Sequence, residues 1–282
     1  MNLILVHNPK SGSSRTVSEL RTLFKKHSIT IDKFIAIDQN LARSLAPHIK
    51  KKAVIAALGG DGTLSAVASQ LVNTQATFVP LSGGTLNHFT KDLGIAQDID
   101  EAISALSRSK VHRIDTASVN GEVFINNSSI GVYPTTLHAR KHFEDKIGKW
   151  PAAIIANLRA LLRLRIYTVT INNKTIKTPF IFIGNNTYDI TGLGGPVRKR
   201  LDNGTLSVFV AKTASRGVLL KMACMALIGR AHELDEFDSY STVALTIETR
   251  HRRISVSRDG EVSRLHSPLE YRAMPAVLRV RY

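Results

Sequence analysis

The chain opens on a short apolar run, Asn2-Leu-Ile-Leu-Val6, followed by the polar stretch His7-Asn-Pro-Lys-Ser-Gly12, where Pro9 and Gly12 break regular structure. Over 13–27 the apolar residues Val17, Leu20, Leu23 and Phe24 recur at helical spacing. The alternation then repeats. Residues 33–37 predict a strand and 40–52 a helix. Residues 53–58 (Ala-Val-Ile-Ala-Ala-Leu) are uninterrupted apolar, as in a buried strand, and Leu64, Val67, Ala68 and Leu71 mark a helix behind them. Residues 77–81 predict the next strand and 98–107 a further helix. Strands alternating with helices predict a parallel sheet covered on both faces, a three-layer α/β arrangement. Three polar, mostly glycine-bearing loops follow strands and are expected to gather at the carboxyl ends of the sheet, where such folds bind ligands.

The texture changes near residue 112. Residues 111–119, Asn120-Gly121 and 122–125 predict a hairpin with an Asn-Gly turn. Residues 166–171, 178–183, 206–211, 242–247 and 254–257 predict further strands joined by short connections. This half is expected to be mainly antiparallel β, a sandwich. The predicted domains are 1–117 and 118–282, with the last stretch of the chain packing back on the first domain. Two helical stretches interrupt the β half. Residues 149–165 carry an apolar stripe (Ile154, Ile155, Leu158, Leu161, Leu162) and a basic face with Arg159 and Arg163. That stripe either packs on the sheet or lies on an anionic membrane with Trp150 at the interface. Residues 216–231 are more apolar and read as core.

Composition narrows the picture. A chain of 282 residues, 43% apolar, holds two ordinary domains, each with its own core. The single cysteine, Cys224, excludes an internal disulfide and reads as a core filler. No apolar run reaches membrane-spanning length, and the N-terminal run is too short for a signal peptide, so a soluble, cytoplasmic protein is expected. The net charge of +16 attracts polyanions: nucleic acid, anionic membrane or nucleotide phosphates. No interleaving of aromatic and basic residues suggests base stacking, so no nucleic-acid partner is expected.

The chemistry centres on Leu58-Gly-Gly-Asp-Gly-Thr-Leu64, a glycine-rich turn between a predicted strand and helix. Glycines let the backbone approach a ligand, and the N–H groups at a helix start favour phosphate. Asp61 beside such a site either implies Mg²⁺ between carboxylate and phosphate or caps the helix. No Lys-Ser/Thr pair follows, so the turn is not a P-loop. Near the C-terminus, Asp259-Gly-Glu261 reads either as a tight hairpin turn or as the paired carboxylates of a metal-dependent transferase, one orienting a cation and the other taking a proton.

Taken in order, Asn8-Pro-Lys-Ser-Gly12, Gly59-Gly-Asp-Gly-Thr63, Gly84-Thr-Leu-Asn87, Asp115 with Asn126 and Gly131, and Asp259-Gly-Glu261 resemble the diacylglycerol-kinase catalytic family of lipid kinases, which includes the sphingosine and ceramide kinases. The likeness runs over nearly the whole chain and is closest in size to the soluble bacterial branch. It implies a two-domain lipid kinase, an N-terminal α/β domain like that of NAD and diacylglycerol kinases and a C-terminal antiparallel β-sandwich, with ATP bound between them. By position, ATP would meet Asn8, Pro9, Lys10, Ser11, Gly12, Gly60, Asp61, Gly62, Thr63, Leu64, Ser65 and Thr85. Glu261 matches the general base; Asp61, Asp115 and Asp259 match acidic residues that hold Mg²⁺, partly through water. Arg200, Asn203 and Thr205 match a structural Mg²⁺ site in the second domain. The acceptor implied is a hydroxyl of diacylglycerol or a related lipid at an anionic membrane surface, with the enzyme peripheral to it; a homodimer is compatible with this reading. The sequence departs from the family at His88, where Asp is usual, at Asp38, where a nucleotide-contacting Thr is common, and at the neutral Asn203. The alternatives are an NAD-kinase-like phosphotransferase, which shares Gly-Gly-Asp-Gly-Thr, and a non-catalytic module binding anionic membrane or nucleic acid.

Overall fold

The computed structural model describes residues 1–8, 15–131, 166–171, 174–188, 198, 200–212 and 237–282. The expectations for Pro9, Lys10, Ser11 and Gly12, for the helical stretches at 149–165 and 216–231, and for Cys224 lie outside the described residues. The chain divides into two compact units, one of Met1–Thr116 with Met274–Tyr282, the other of Ala117–Ala273.

Unit 1 alternates strands and helices: β1 (Asn2–His7), α1 (Val17–Lys26), β2 (Thr30–Ala36), α2 (Leu41–Lys50), β3 (Val54–Gly59), α3 (Asp61–Leu71), β4 (Thr77–Ser82), α4 (His88–Asp92) and α5 (Ile99–Ala105). The four strands run parallel in the order β2-β1-β3-β4. The strands are apolar almost throughout because both sheet faces are covered. Leu3, Leu5, Ala56, Leu58, Val79 and Leu81 form one core with Leu20 and Phe24 of α1 and Ile99, Ala102 and Ile103 of α5. Side chains alternate along a strand, so Ile4, Ile55, Ala57 and Phe78, also buried, belong to the opposite face. Helices α2 and α3 pack with β2, β3 and β4. Helix α1 starts with a capping box: Glu19 N–H donates to Thr16 Oγ1 (3.2 Å), and Thr16 N–H donates to the Glu19 carboxylate (2.7 Å). At its other end Lys26 and His27 reach Asp100 in the first turn of α5, at 2.7 and 2.6 Å, and hold that carboxyl below its ordinary range.

The register places the carboxyl ends of β1, β3 and β4 side by side, with His7 opposite Leu58 and Gly59 opposite Ser82. The polar loops after these strands therefore start from one edge of the sheet.

Two strands cross the division: β5 (Val111–Val119) and the 13-residue β16 (Leu269–Arg281). In unit 1, Val280 of β16 pairs in parallel with Phe78 of β4. Unit 2 adds β6 (Glu122–Phe124), β7 (Asn127–Gly131), β8 (Tyr167–Ile171), β9 (Lys174–Thr178), β10 (Phe180–Asn185), β11 (Leu206–Ala211), β12 (Phe237–Thr242), β13 (Ala244–Thr249), β14 (Arg253–Arg258) and β15 (Glu261–His266). One sheet is antiparallel throughout, in the order β12-β11-β10-β7-β14-β15. The other runs β16-β13-β8-β9, with the β5–β6 hairpin beside β16. Their inward residues, among them Ile130, Ile183, Val208 and Val256 of the first sheet and Val169, Ile171, Ile247 and Tyr271 of the second, form one core. This is the antiparallel sandwich the sequence predicts.

Three differences have physical causes. The strand predicted at 178–183 divides at Pro179, which has no N–H for the ladder, so Thr178 ends β9 and Phe180 begins β10. The strand predicted at 242–247 begins two residues later, because Thr242 ends β12 and Val243 stands exposed between the strands. Strand β16 has no predicted counterpart. Its alternation lapses over 273–277, around Pro275 and the positive φ of Ala276 (53°), where the chain passes from one unit to the other.

Gly131, at the end of β7, has φ +105°, and a Cβ there would collide with the Pro179 carbonyl. Gly94 also has positive φ (+70°), but its surroundings are open. Gly131→Ala is therefore expected to cost at least about 2 kcal/mol and Gly94→Ala about 1 kcal/mol. Equal melting temperatures for the two variants in calorimetry would contradict this packing.

Candidate active site

In unit 1 the loop after β3 and the loop after β4 meet backbone to backbone. A Cβ on Gly84 would lie 2.5 Å from the Gly60 Cα and 3.0 Å from Asn87 Oδ1, so glycine at 84 is a packing requirement. Gly83 N–H donates to the Gly59 carbonyl at 2.9 Å. Gly59 in turn faces Thr63, whose side chain leaves no room for a Cβ.

Asp61 fastens the two loops. Its carboxylate accepts the His88 N–H and the Phe89 N–H, both at 3.1 Å. The aspartate is thus a cap, but for α4 rather than for its own helix α3. The five-residue α4 begins at Asn87, a left-handed residue (φ 51°) whose side chain makes no capping bond to the helix. Asn87 instead folds back on its own loop, accepting Gly84 N–H (3.0 Å) and donating to the Gly84 carbonyl (3.1 Å). Helix α3 starts at Gly60, which has no side chain to cap it. Gly60, Asp61 and Gly62 are half-buried, and Thr85 is exposed. Asn8 joins the group by donating to Thr63 Oγ1 at 3.3 Å.

Of the predicted nucleotide contacts, the structure brings Asn8, Gly60, Asp61, Gly62 and Thr63 together at the start of α3, with Thr85 on the adjoining loop. Ser65 follows half-buried on α3. Leu64 departs from the expectation: its side chain is fully buried in the core and its N–H is taken by the Gly60 carbonyl at 3.1 Å. Asp115 is buried on β5, where it accepts the Ala276 N–H at 2.8 Å.

In unit 2, Asp259-Gly260 is a two-residue turn joining β14 to β15, with both residues at positive φ (46° and 86°). That is the geometry of a type I′ hairpin turn. The Asp259 carboxylate is buried and accepts three backbone N–H groups: Ile125 and Asn126 at 2.8 Å and Asn127 at 3.1 Å. The same loop is gripped from its acceptor side. The buried Arg198 guanidinium donates to the Ile125 carbonyl at 2.6 Å and to Asn126 Oδ1. Asn185 Nδ2 donates to the Ile125 carbonyl (3.0 Å) and Tyr188 Oη to the Asn126 carbonyl (2.9 Å). Glu261, two residues past Asp259, is exposed on the first position of β15. Asp259 therefore positions the turn that presents Glu261.

Sequence reasoning missed Arg198, Asn185 and Tyr188, and the His88 and Phe89 N–H groups. Arg198 sits in Val-Arg-Lys-Arg, where nothing separates a buried arginine from its neighbours.

The residues fit Mg²⁺ unevenly. A carboxylate offers about four lone-pair positions, and each Asp61 oxygen accepts one backbone N–H. Among the described residues no three His, Cys, Asp or Glu side chains cluster as a metal site. A Mg²⁺ carried by a nucleotide needs no such cage, since it keeps waters and phosphate oxygens as ligands. Asp259 is committed to the backbone. The predicted structural site at Arg200, Asn203 and Thr205 does not fit. Asn203 N–H donates to Asn186 Oδ1 (2.9 Å) and its amide to Thr187 Oγ1 (3.1 Å), while the Thr205 carbonyl accepts Asn186 N–H (2.8 Å). Asp202 is held by Arg200 through two hydrogen bonds, 2.9 and 3.2 Å, which lower its carboxyl below the ordinary range. The Asn203 amide and the Asp202 carboxylate are thus engaged within the turn, while Thr205 Oγ1 is buried without a hydrogen-bond partner among the described residues.

Asp259→Ala would orphan three backbone N–H groups and is expected to cost about 3 kcal/mol or more. Glu261→Gln, on an exposed side chain, is expected to stay within about 0.5 kcal/mol of the parent. Urea unfolding of both variants checks the contrast; equal midpoints would contradict it.

Comparison with known proteins follows the same lines. A family model described as the diacylglycerol kinase catalytic domain matches residues 2–119. Proteins named Probable lipid kinase YegS match from Salmonella arizonae (27% identity over 140 residues, 48% of this chain and 47% of that protein), and from Shigella boydii (26% over 140 residues, with the same shares). The match thus spans about half the length of these curated relatives. A crystal structure of a diacylglycerol kinase from Bacillus anthracis str. Sterne aligns over 100% of this chain and 96% of its own, with a TM-score of 0.70 at 20% identity. Another structure from that strain reaches 0.77 at 24% identity, with 100% and 95% covered. These structural likenesses establish the fold.

Proposed function

From the likeness of residues 2–119 to the diacylglycerol kinase catalytic domain, we propose that the chain is a lipid kinase of that family, transferring the γ-phosphate of ATP to a hydroxyl of diacylglycerol or a related lipid. The observation that carries this reading is the glycine-to-glycine contact at Gly60 and Gly84, clasped by Asp61. It brings a side-chain-free backbone and the start of an 11-residue helix to one edge of a parallel sheet. Backbone N–H groups and the helix dipole suit that edge to phosphate.

Each residue then has a role. Gly60, Gly62 and Thr63 cradle phosphate oxygens by their backbone, and Asn8 steadies Thr63. The Gly84-Thr85 loop forms the facing wall. Glu261 takes the proton of the lipid hydroxyl as its oxygen bonds to the γ-phosphorus, the bond to the β-phosphate oxygen breaks, and ADP leaves. Asp259 holds the turn on which Glu261 stands. Mg²⁺ bound with ATP, beside Asp61, would neutralise phosphate charge. Such a reaction depends chiefly on positioning and electrostatics, so a rigid backbone cradle and one exposed base suit it. An exposed Glu261 also suits an acceptor held in a membrane surface. The net charge of +16 favours an anionic, cytoplasmic one, to which the enzyme would bind peripherally. No described helix is long and apolar enough to cross a membrane.

The test is transfer of label from γ-labelled ATP, with Mg²⁺, to a panel of lipid alcohols in anionic mixed micelles, with NAD and a lipid-free control alongside. The expected result is labelled lipid, reduced about 10²–10⁴-fold in kcat by Glu261→Gln with ATP binding retained. Label on NAD alone would replace this reading with the NAD-kinase-like one. Undiminished transfer by Glu261→Gln would remove Glu261 from the mechanism.

A further inference from the structure

A cavity of about 230 Å³ opens in unit 2, lined by Tyr167 of β8, His251 of the β13–β14 turn, Arg253, Ile254 and Ser255 of β14, and Arg264 of β15. All six residues lie in unit 2, and none has a part in the transfer reaction above. The β14–β15 ladder sets Arg253 opposite His266 and Ser255 opposite Arg264. Residues two apart on a strand share a face, so these four side chains form one block, with opposed Cβ atoms about 5 Å apart. The turn beside it reads Arg250-His251-Arg252-Arg253, which adds further positive charge at the rim.

The lining is chemically one-sided. Arginine only donates, and the hydroxyl of Ser255 can turn its proton inward. Neither Arg253 nor Arg264 meets a carboxylate among the described residues, and no carboxylate lines the cavity. Arg253 is held in place by donating from Nε to His266 Nε2 at 3.1 Å, which leaves the outer edge of its guanidinium for another partner. Two guanidinium groups on neighbouring strands repel each other, and an anion between them converts that repulsion into attraction. The planar fork of arginine matches phosphate oxygens in pairs. Size selects further. The cavity is below the roughly 300–1,000 Å³ of pockets that enclose a drug-sized ligand, so it is sized for a phosphate group rather than for enclosing a whole nucleotide or acyl chain.

We infer that this cavity binds a phosphate group through Arg253 and Arg264, with Ser255 and His251 as further donors. The phosphate reaches it as the free ion or on a lipid head group. The test uses the full chain, the double variant Arg253→Gln with Arg264→Gln, the single variant Ser255→Asp, and the control Lys50→Gln with Lys51→Gln, which makes the same charge change on exposed residues of unit 1. Melting temperatures first establish that each is folded. Inorganic phosphate is titrated by calorimetry, and sedimentation is measured with phosphatidylcholine vesicles with and without phosphatidylglycerol. Saturable phosphate binding weakened about tenfold or more in the double variant and in Ser255→Asp, but not in the control, supports the site with the free ion as ligand. The same pattern confined to phosphatidylglycerol vesicles supports it with lipid as the source. No saturable binding in either arm overturns the inference. So does equal weakening in the control, or binding unchanged in the two cavity variants, as phosphate held by the unit 1 loops would give.

Discussion

One carboxylate ties the two glycine loops of unit 1 together. Asp61 is the first residue of α3, yet its oxygens accept the first N–H groups of α4, more than two dozen residues later in the chain. Charge-assisted bonds of this kind are worth about 1.5–3 kcal/mol each, because the donors would otherwise lose their partner. The clasp draws the β4–α4 loop onto the β3–α3 loop so closely that only glycine fits at 84. A backbone surface free of side chains at a helix start is the physical consequence, and affinity for phosphate follows from it.

Unit 2 repeats the device with different elements. Asp259 gathers three N–H groups of the 125–127 loop, while Arg198, Asn185 and Tyr188 hold that loop by its oxygens. In both signature motifs, then, the aspartate spends its charge on backbone. Glu261, paired with Arg258 in the ladder, is the acidic residue of its motif that stands exposed, as the proposed role of base requires.

What the sequence made legible was local. The unbroken apolar run before Gly59 and the helical spacing after it identify β3 and α3, because a strand buried on both faces and a helix with one apolar stripe impose their own periods. The Asn120-Gly121 hairpin was legible for the same reason. What stayed hidden depended on distant partners. The N-cap residue of helix α4 makes no capping bond, and its first N–H groups are capped by the distant Asp61. Strand β16 loses its alternation where it passes between units. The motif spacing identified Asp259 as important, but a grip on three backbone N–H groups looks, in sequence, the same as a cation ligand. Arg198 could not be distinguished from a surface arginine by any neighbouring pattern.

The proposed phosphate cradle depends most directly on the contact between the two glycine loops. Equilibrium titration of ATP, followed by calorimetry on parent protein and on Gly84→Ala confirmed as folded by its melting temperature, tests it. A methyl group at 84 must push the loops apart, so the predicted result is ATP affinity lowered about tenfold or more, near 1.4 kcal/mol. Unchanged affinity in a folded Gly84→Ala protein would contradict the claim that this contact forms the nucleotide cradle.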